Sequence, residues 1–119
     1  MDKLRPTPLR SSRYPSWDEV QSWLGWRVDD LNGSMIGQLE KVTCDETGAP
    51  AWLVVSEFRL GEGRRFVIPI ADAVGCEGRI WSPHPREQIR ASATLAGPVF
   101  SAEADRELRS LYRGARRVA

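Results

Sequence analysis

Short apolar stretches separated by glycine, asparagine, aspartate and proline run through most of this chain, and this punctuation constrains its fold more than any other feature. Stretches bounded by turn residues in this way are typical of β-strands in a small all-β unit. Because the loops between them are short, we expect successive strands to pair as antiparallel neighbours. The predicted strands cover residues 26–29, 34–44, 51–60, 65–70 and 79–82, with a further short strand near Val74.

Tight turns are predicted between these strands. Asn32 and Gly33 favour a type I′ hairpin turn, because both residues tolerate the positive φ that this turn requires. Residues 45–50 and 61–63 contain the aspartate, glycine and proline expected in the next two turns. Each of these turns reverses the chain between two predicted strands.

The predicted strand 34–44 does not keep a regular alternation. Ile36, Leu39 and Val42 recur every three residues, so the side-chain parity must slip along the strand. Gly37 is the natural position for a bulge or a sharp coil. Coiled strands of this kind suit a closed sheet, and we predict an all-β fold: a small antiparallel β-barrel with short flanking N- and C-terminal helices.

The two flanking helices carry their own signals. Ser16 precedes Glu19 by the spacing of a capping box, and Gly25 stands where a left-handed C-terminal cap is expected. The second helix is predicted to begin at Ser101 and to stop at Gly114. The predicted apolar faces consist of Trp17, Val20, Trp23 and Leu24 in the first helix and of Ala104, Leu108, Leu111 and Tyr112 in the second.

Composition divides the chain into three segments. Prolines, serines and basic residues at the start predict a loose arm with little to bury. The strand-rich domain follows with its leading helix, and a helix with a basic tail ends the chain. The predicted boundaries are 1–15, 16–100 and 101–119.

The net charge of +1 conceals a strong segregation of charge. Residues 1–13 carry +3 and residues 106–119 carry +4, whereas residues 14–105 carry −6. The basic ends could contact RNA, acidic proteins or the acidic body of a second copy, or they could simply be solvated. Within the second helix, Asp105 and Arg109 have the spacing of a favourable ion pair.

No targeting or membrane segment is predicted. The longest apolar run is far shorter than the roughly 18 residues of a membrane helix, and the first residues lack the apolar stretch of a signal peptide. We therefore expect a cytoplasmic protein, and the predominance of arginine over lysine favours a bacterial source. Cys44 and Cys76 lie outside any C-x-x-C spacing, so we expect small buried hydrophobes rather than a disulfide, although their pairing stays open.

Catalytic and cofactor motifs are not found, and we predict no catalytic residue, cofactor or metal. The only histidine, His84, stands between two prolines and is interpreted as a loop residue, and no G-x-S-x-G elbow is present. The acidic pairs Asp29-Asp30 and Asp45-Glu46 lack metal-loop spacing and are interpreted as solvated turns. Residues 61–63 form a lone G-x-G, which favours a hairpin loop over a phosphate site.

Candidate interaction residues come from the surplus of aromatic and basic side chains. A small barrel cannot bury all five tryptophans, so some should serve an interface. The basic pair after the G-x-G loop could form an anion-binding corner, although a solvated strand end is the simpler interpretation, and the tail carries a second basic pair. The candidates are Trp26, Trp81, Arg64, Arg65, Arg116 and Arg117.

From Leu24 to Ile70 the sequence resembles the PRC-barrel domain, the small barrel of the photosynthetic reaction-centre H subunit and of the ribosome maturation factor. The resemblance implies an adaptor barrel that docks onto other macromolecules and has no catalytic residues. A membrane helix before the barrel and a separate N-terminal barrel, found in those two proteins respectively, have no counterpart here. The matching residues are Gly25, Val28, Asp30, Gly33, Ile36, Gly37, Val42, Asp45, Gly48, Trp52 to Val55, and Val67 to Ile70.

These observations predict a non-catalytic protein-interaction or assembly module that associates with itself, as a homodimer in the simplest case. The alternative is an accessory factor that binds RNA or ribonucleoprotein through its basic ends. A small enzyme would require His84 or the acidic turns to line a pocket. No small-molecule substrate is indicated by the sequence.

Overall fold

The computed structural model describes residues 15–45, 47–57, 63–95 and 102–118. Every predicted strand is present with its ends shifted by one residue at most, except that the third strand ends at Ser56 and its predicted residues 58–60, like the arm 1–14 and the turn residues 61–62, lie outside the described residues. The chain after residue 85, for which no helix or strand was predicted, is helical. The elements are α1 (Trp17–Gln21), β1 (Arg27–Asp29), β2 (Met35–Cys44), β3 (Pro50–Ser56), β4 (Arg65–Pro69), β5 (Val74–Cys76), β6 (Arg79–Trp81), α2 (Arg86–Ala91), a 3₁₀ helix (Ser92–Leu95) and α3 (Ala102–Val118).

The strands form one six-stranded mixed sheet in the order β4-β3-β2-β1-β6-β5. Neighbours in sequence pair antiparallel, as predicted, from β1 to β4 and again between β5 and β6. The expectation of a wholly antiparallel sheet is wrong at one place, because β1 and β6 pair in parallel. Local turn signals do not predict a pairing between strands so far apart in the chain.

The strand order requires the sheet to curl. In a flat sheet, five interstrand spacings of about 4.8 Å would hold β4 and β5 at least roughly 24 Å apart. The chain from Pro69 to Val74 has only five Cα steps, which span at most about 18 Å when fully extended. Moreover, the Ala73 amide donates to the Ile70 carbonyl at 3.0 Å, so this connection is a tight turn. The two ends of the sheet therefore approach each other, although the described strands form no ladder between β4 and β5.

The bulge predicted at Gly37 is confirmed. Val28 of β1 lies opposite Gly37, whereas the next residue, Asp29, lies opposite Met35, so Ile36 is the extra residue. A Cβ on Gly37 would lie 2.2 Å from the Ser56 carbonyl oxygen, so no larger residue fits without a backbone shift. A second register shift, against β3, leaves Glu40 as an extra residue between Leu39 and Lys41. The two shifts reverse the side-chain parity of β2 twice, which explains the three-residue apolar spacing.

The first hairpin is present, but its predicted type I′ turn is wrong. Gly33 has a positive φ of 82° and Asn32 does not have a positive φ. Instead, the Asp30 carboxylate accepts hydrogen bonds from the amides of Asn32 and Ser34, both at 2.9 Å. The side chain thus satisfies the backbone of a longer loop. The loop that starts at Asp45 is built in the same way.

The inner face of the curled sheet forms the main hydrophobic core. The α1 helix begins after Ser16 as predicted, since the Ser16 hydroxyl accepts from the Glu19 amide at 3.1 Å. Of its predicted apolar face, Val20 and Trp23 are buried, whereas Trp17 and Leu24 are exposed. The helix ends at Gln21, before the predicted cap at Gly25. The buried core consists of Val20, Trp23, Val28, Ile36, Leu39, Leu53, Val55, Phe66, Ile68, Ile70, Ala73, Ile80 and Ile89.

The long helix α3 packs on the outer face of the sheet. Leu108 and Tyr112 lie against Trp52, Val67 and Ala51 in a second buried cluster, with Leu111 at its margin. The prediction that the helix stops at the glycine in position 114 is wrong, since α3 continues to Val118. A glycine inside a helix costs only about 1 kcal/mol, which does not by itself end the helix. The predicted cap at position 101 lies outside the described residues.

Two further expectations are wrong. Both cysteines are exposed and free, because one ends β2 and the other lies in the edge strand β5. Asp29 and Asp30 are not solvated, since they are 4% and 2% exposed and are hydrogen-bonded.

Among the described residues, no helix has the length and apolar character needed to cross a membrane.

Candidate functional site

One part of the outer face carries an exposed apolar row. Met35, Asp29, Trp81 and Val74 are successive cross-strand neighbours on β2, β1, β6 and β5, so they share one face of the sheet. The row continues to Leu31, whose carbonyl oxygen accepts a hydrogen bond from the Trp81 indole at 3.1 Å. We call this surface the Trp81 face, defined as Arg27, Asp29, Leu31, Met35, Val74, Arg79 and Trp81.

The apolar side chains of the Trp81 face are large and accessible. Met35, Val74 and Trp81 are each 37% exposed, and Leu31 is 44% exposed. Val28 and Ile80, the residues just before Asp29 and Trp81 on β1 and β6, point to the opposite side of the sheet and are fully buried. The hydrogen bond to the Leu31 carbonyl holds the Trp81 ring in place, so the ring offers apolar area with little freedom to lose on binding.

A buried carboxylate organises the basic residues of this face. The Arg27 Nε atom lies 2.6 Å from Asp29 Oδ1, and the Arg79 Nη2 atom lies 3.2 Å from Asp29 Oδ2. The side chain of Asp29 is 6% exposed, whereas those of Arg27 and Arg79 are 38% and 58% exposed. Two guanidinium groups against one carboxylate leave a net positive charge beside the apolar row.

The predicted aromatic candidates do not share a surface. Trp81 lies on the outer face, as described above. Trp26 precedes β1, is half-buried and packs against the main core. Its ring stacks on Trp23 with the centroids 6.4 Å apart. The structure therefore brings Trp81, and not Trp26, to the candidate surface.

The predicted basic candidates lie elsewhere. Arg65 forms a two-pronged ion pair with Glu40 at 2.8 and 3.1 Å, and this hydrogen bonding lowers the pKa of Glu40 below its usual value. Arg64 is exposed next to it at the start of β4, at the opposite end of the strand order from the Trp81 face. Arg116 and Arg117 fall in the backbone of α3, and their side chains lie outside the described part of the chain.

A cavity of about 230 Å³ lies between α3 and the sheet. Three aromatic rings, two arginines and one aspartate reach it from β3, from the turn after β4, from the loop after β6 and from α3. The histidine that the sequence assigned to a plain loop is one of these groups. The lining residues are Trp52, Pro69, Ala71, Asp72, His84, Arg109, Tyr112 and Arg113.

One wall of the cavity is a network of charged hydrogen bonds. The Trp52 indole donates to Asp105 Oδ1 at 2.6 Å, and Arg109 Nε donates to Asp105 Oδ2 at 3.0 Å. The second of these contacts confirms the predicted ion pair within α3. Arg109 also lies 3.3 Å from Asp45 and 5.8 Å from the centre of the Trp52 ring. Its charge is therefore already compensated by two carboxylates.

The other wall consists of His84 and Tyr112, whose rings meet edge to face with centroids 4.7 Å apart. The Tyr112 hydroxyl donates to the Val67 carbonyl, and burial raises the pKa of Tyr112 above its usual value. The His84 carbonyl accepts from the Leu31 amide at 2.9 Å, which joins this loop to the Trp81 face. The cavity and the Trp81 face are thus neighbouring parts of one outer surface.

Most members of both sites were missed by sequence reasoning. The alternation of Arg27 with Asp29 and of Arg79 with Trp81 is the signal that could have identified an outward strand face. The cavity has no local sequence signal, because its residues come from four separate segments.

Comparisons with family models, with curated proteins and with solved structures found no match to this chain.

Proposed function

We propose that this chain is a non-catalytic protein-interaction module and that it associates with a second copy of itself through the Trp81 face. The observation that carries the proposal is the row of Met35, Trp81 and Val74, with Leu31 beside it, exposed on a sheet face that α3 covers elsewhere. Clustered apolar side chains with an aromatic centre and an arginine rim are the usual composition of a protein interface.

The apolar row supports a second copy as the partner. Two-fold pairing of one surface with itself is the commonest form of self-association, and it sets the apolar row of one copy against that of the other. The same pairing brings Arg27 and Arg79 of both copies toward the interface, so their positive charge opposes association and the apolar contact must outweigh it.

The chemistry of the cavity supports binding rather than catalysis. None of its described lining residues is a serine, threonine or cysteine. The Tyr112 hydroxyl is bonded to the Val67 carbonyl and has a raised pKa, so it is a poor nucleophile. A reaction that used His84 would have to bring its own nucleophile, such as water.

The same proposal includes the bacterial, cytoplasmic origin and the PRC-barrel relationship expected from the sequence. The bulge at Gly37 and the curl of the sheet support that relationship. In this proposal the sheet curls into a barrel without direct pairing of β4 and β5, because the amide and carbonyl of Val67 on the outer edge of β4 are bonded to Ser92 and Tyr112. An experimental structure with a flat, open sheet would contradict the barrel.

The test is sedimentation of the full chain over a wide concentration range at moderate salt, which screens the arginines of the two faces from each other. We expect a monomer–dimer equilibrium that Trp81→Ala weakens by roughly 30-fold or more, since buried interface tryptophans are commonly worth about 2 kcal/mol or more. Trp17→Ala is the matched control, because Trp17 is 42% exposed on α1 and lies outside the Trp81 face. A strict monomer, or equal effects of both substitutions, would contradict the proposal.

RNA binding is the second candidate function. The described geometry does not favour it, because Arg65 is neutralised by Glu40. RNA binding that weakens steeply with salt and is lost when residues 1–13 and the last residues are removed would instead support the alternative expected from the sequence. Such a result, together with a monomer in sedimentation, would replace self-association as the function.

A further inference from the structure

The cavity between α3 and the sheet combines aromatic lining with a guanidinium that has no ion-pair partner in the described part of the chain. Trp52, His84 and Tyr112 supply the rings, and Pro69 lies opposite Trp52 in the register of β3 and β4. Rings and proline together favour a planar guest, because aromatic groups stack or pack edge to face on such surfaces. The lining therefore favours a planar guest, whatever the charge of that guest.

The size of the cavity limits the guest. An apolar cavity of about 150 Å³ is large enough for benzene. The volume here is about 230 Å³, which leaves room for one ring and a short polar group. It lies below the roughly 300 Å³ at which pockets for drug-sized ligands begin. A guest of two fused rings with long substituents would not be enclosed.

The charged residues at the cavity indicate which polar group the guest carries. Arg109 is held by Asp105 and Asp45, as described above. Arg113 follows one turn later on α3, lines the cavity, and forms no ion pair with any side chain in the described part of the chain. A guanidinium with its donors unused is a binding group for a carboxylate. Its exposed position on the helix places it at the mouth rather than at the wall.

A second anionic group on the guest is disfavoured. Asp72 also lines the cavity, so a dianion would place one of its charges near a carboxylate of the protein. The guest that fits is therefore a monoanion with its charge at one end and its ring at the other.

We propose that this cavity binds a small aromatic carboxylate, with the ring against the side chains of Trp52, His84 and Tyr112 and the carboxylate on Arg113. The Trp52 and Tyr112 rings pack on each other with centroids 6.3 Å apart, so the guest lies over this pair and not between its members. This site is separate from the proposed self-association and does not depend on it. The same chemistry could come from a free aryl acid or from a polypeptide that ends in an aromatic residue.

The test uses 3-phenylpropionate and its neutral amide, 3-phenylpropionamide, added to the full chain. Binding is followed by isothermal titration and by the indole N–H signal of Trp52 in ¹H–¹⁵N spectra. We expect the carboxylate to bind saturably and the amide to bind roughly tenfold more weakly, the usual scale for one charge-assisted hydrogen bond.

Arg113→Gln should remove most of the preference for the carboxylate over the amide. Arg106→Gln is the matched control, because Arg106 is exposed on the same helix and does not line the cavity. Equal binding of acid and amide, no shift of the Trp52 signal, or equal effects of the two substitutions would overturn the proposal. The acid and amide comparison decides the matter even if a variant fails to fold.

A short peptide that ends in phenylalanine with a free carboxylate separates the two sources. Tighter binding of this peptide than of 3-phenylpropionate, lost on amidation of its C-terminus, would assign the site to a polypeptide end. Weaker binding of the peptide would assign it to a free acid. Failure of both probes would overturn the site while leaving the self-association untouched.

Discussion

The outer face of the sheet has two halves, which differ in whether a helix covers them and in how their polar groups are hydrogen-bonded. On β3 and β4, α3 covers the sheet, and its Asp105 accepts hydrogen bonds from the Trp52 indole and from Arg109. On β1, β6 and β5 nothing in the described chain covers the sheet. There, Asp29 accepts from two arginines of the same sheet, and the Trp81 indole donates to a nearby backbone carbonyl.

This difference implies that the half under α3 contributes mainly to the stability of the fold and that the Trp81 face is available for recognition. The covered half depends on groups distant in sequence, since the Val67 amide and carbonyl are bonded to Ser92 and Tyr112. Those two contacts also occupy the outer edge of β4, where a free strand edge would otherwise invite pairing. The Trp81 face satisfies the Asp29 carboxylate and the Trp81 indole within itself, and it leaves its apolar side chains and parts of Arg27 and Arg79 exposed. These polar groups do not need a partner, so association of the face should be reversible.

The largest expected effect comes from removing a covering side chain. Leu108 is fully buried between α3 and the sheet, so Leu108→Ala should lower the free energy of unfolding by about 2–5 kcal/mol. Trp81→Ala should lower that of the monomer by less, about 1–2 kcal/mol, because the side chain is 37% exposed and only part of its area is removed from water. Denaturant unfolding at low protein concentration measures both values. Similar losses for the two variants would mean that the two halves do not differ in this way.

An intermediate effect is expected at the buried carboxylate of the Trp81 face. Asp29→Asn weakens two charge-assisted contacts and leaves two arginines uncompensated, so we expect a loss of about 1.5–3 kcal/mol. Glu40→Gln is the control, because the Arg65–Glu40 pair is exposed and such pairs contribute about 0–1 kcal/mol. Thermal or urea unfolding of both variants provides the comparison. A larger loss at Glu40 would show that burial does not set the strength of these pairs.

The smallest expected effect has the opposite sign. Ser82 is fully buried just after β6, and its hydroxyl finds no hydrogen-bond partner among the described residues. Ser82→Ala should be neutral or should stabilise the fold by up to about 1 kcal/mol, since an unsatisfied buried hydroxyl is removed. Urea unfolding tests this directly. A loss of stability would indicate that the hydroxyl has a partner, such as a buried water.

Local patterns predicted local features well. The cap at Ser16, the bulge at Gly37 and the ion pair between Asp105 and Arg109 are each decided within a few residues, and the structure has all three. The turn at Asn32 was predicted as a reversal but not in its type. Its geometry depends on the Asp30 carboxylate, whose burial comes from the rest of the fold.

The candidate site was less predictable because it depends on register and on long-range contacts. Trp26 and Trp81 are similar in sequence terms, but Trp26 precedes β1 and packs against the core, whereas Trp81 lies on the outward side of β6. His84 looks like a loop residue, and it is one. It lines a cavity only because Tyr112, on the last helix of the described chain, lies against it.

The sequence alone determined where the strands and α1 begin, where β2 bulges and how charge is distributed along the chain. These properties follow from backbone preferences, glycine sterics and counts of ionisable groups, all of which act over short distances. Only the tertiary structure decided the parallel pairing of β1 with β6, the covering of one half of the outer face by α3 and the assembly of the cavity. Those outcomes depend on which distant apolar surfaces bury each other most completely, and a linear pattern does not record that competition.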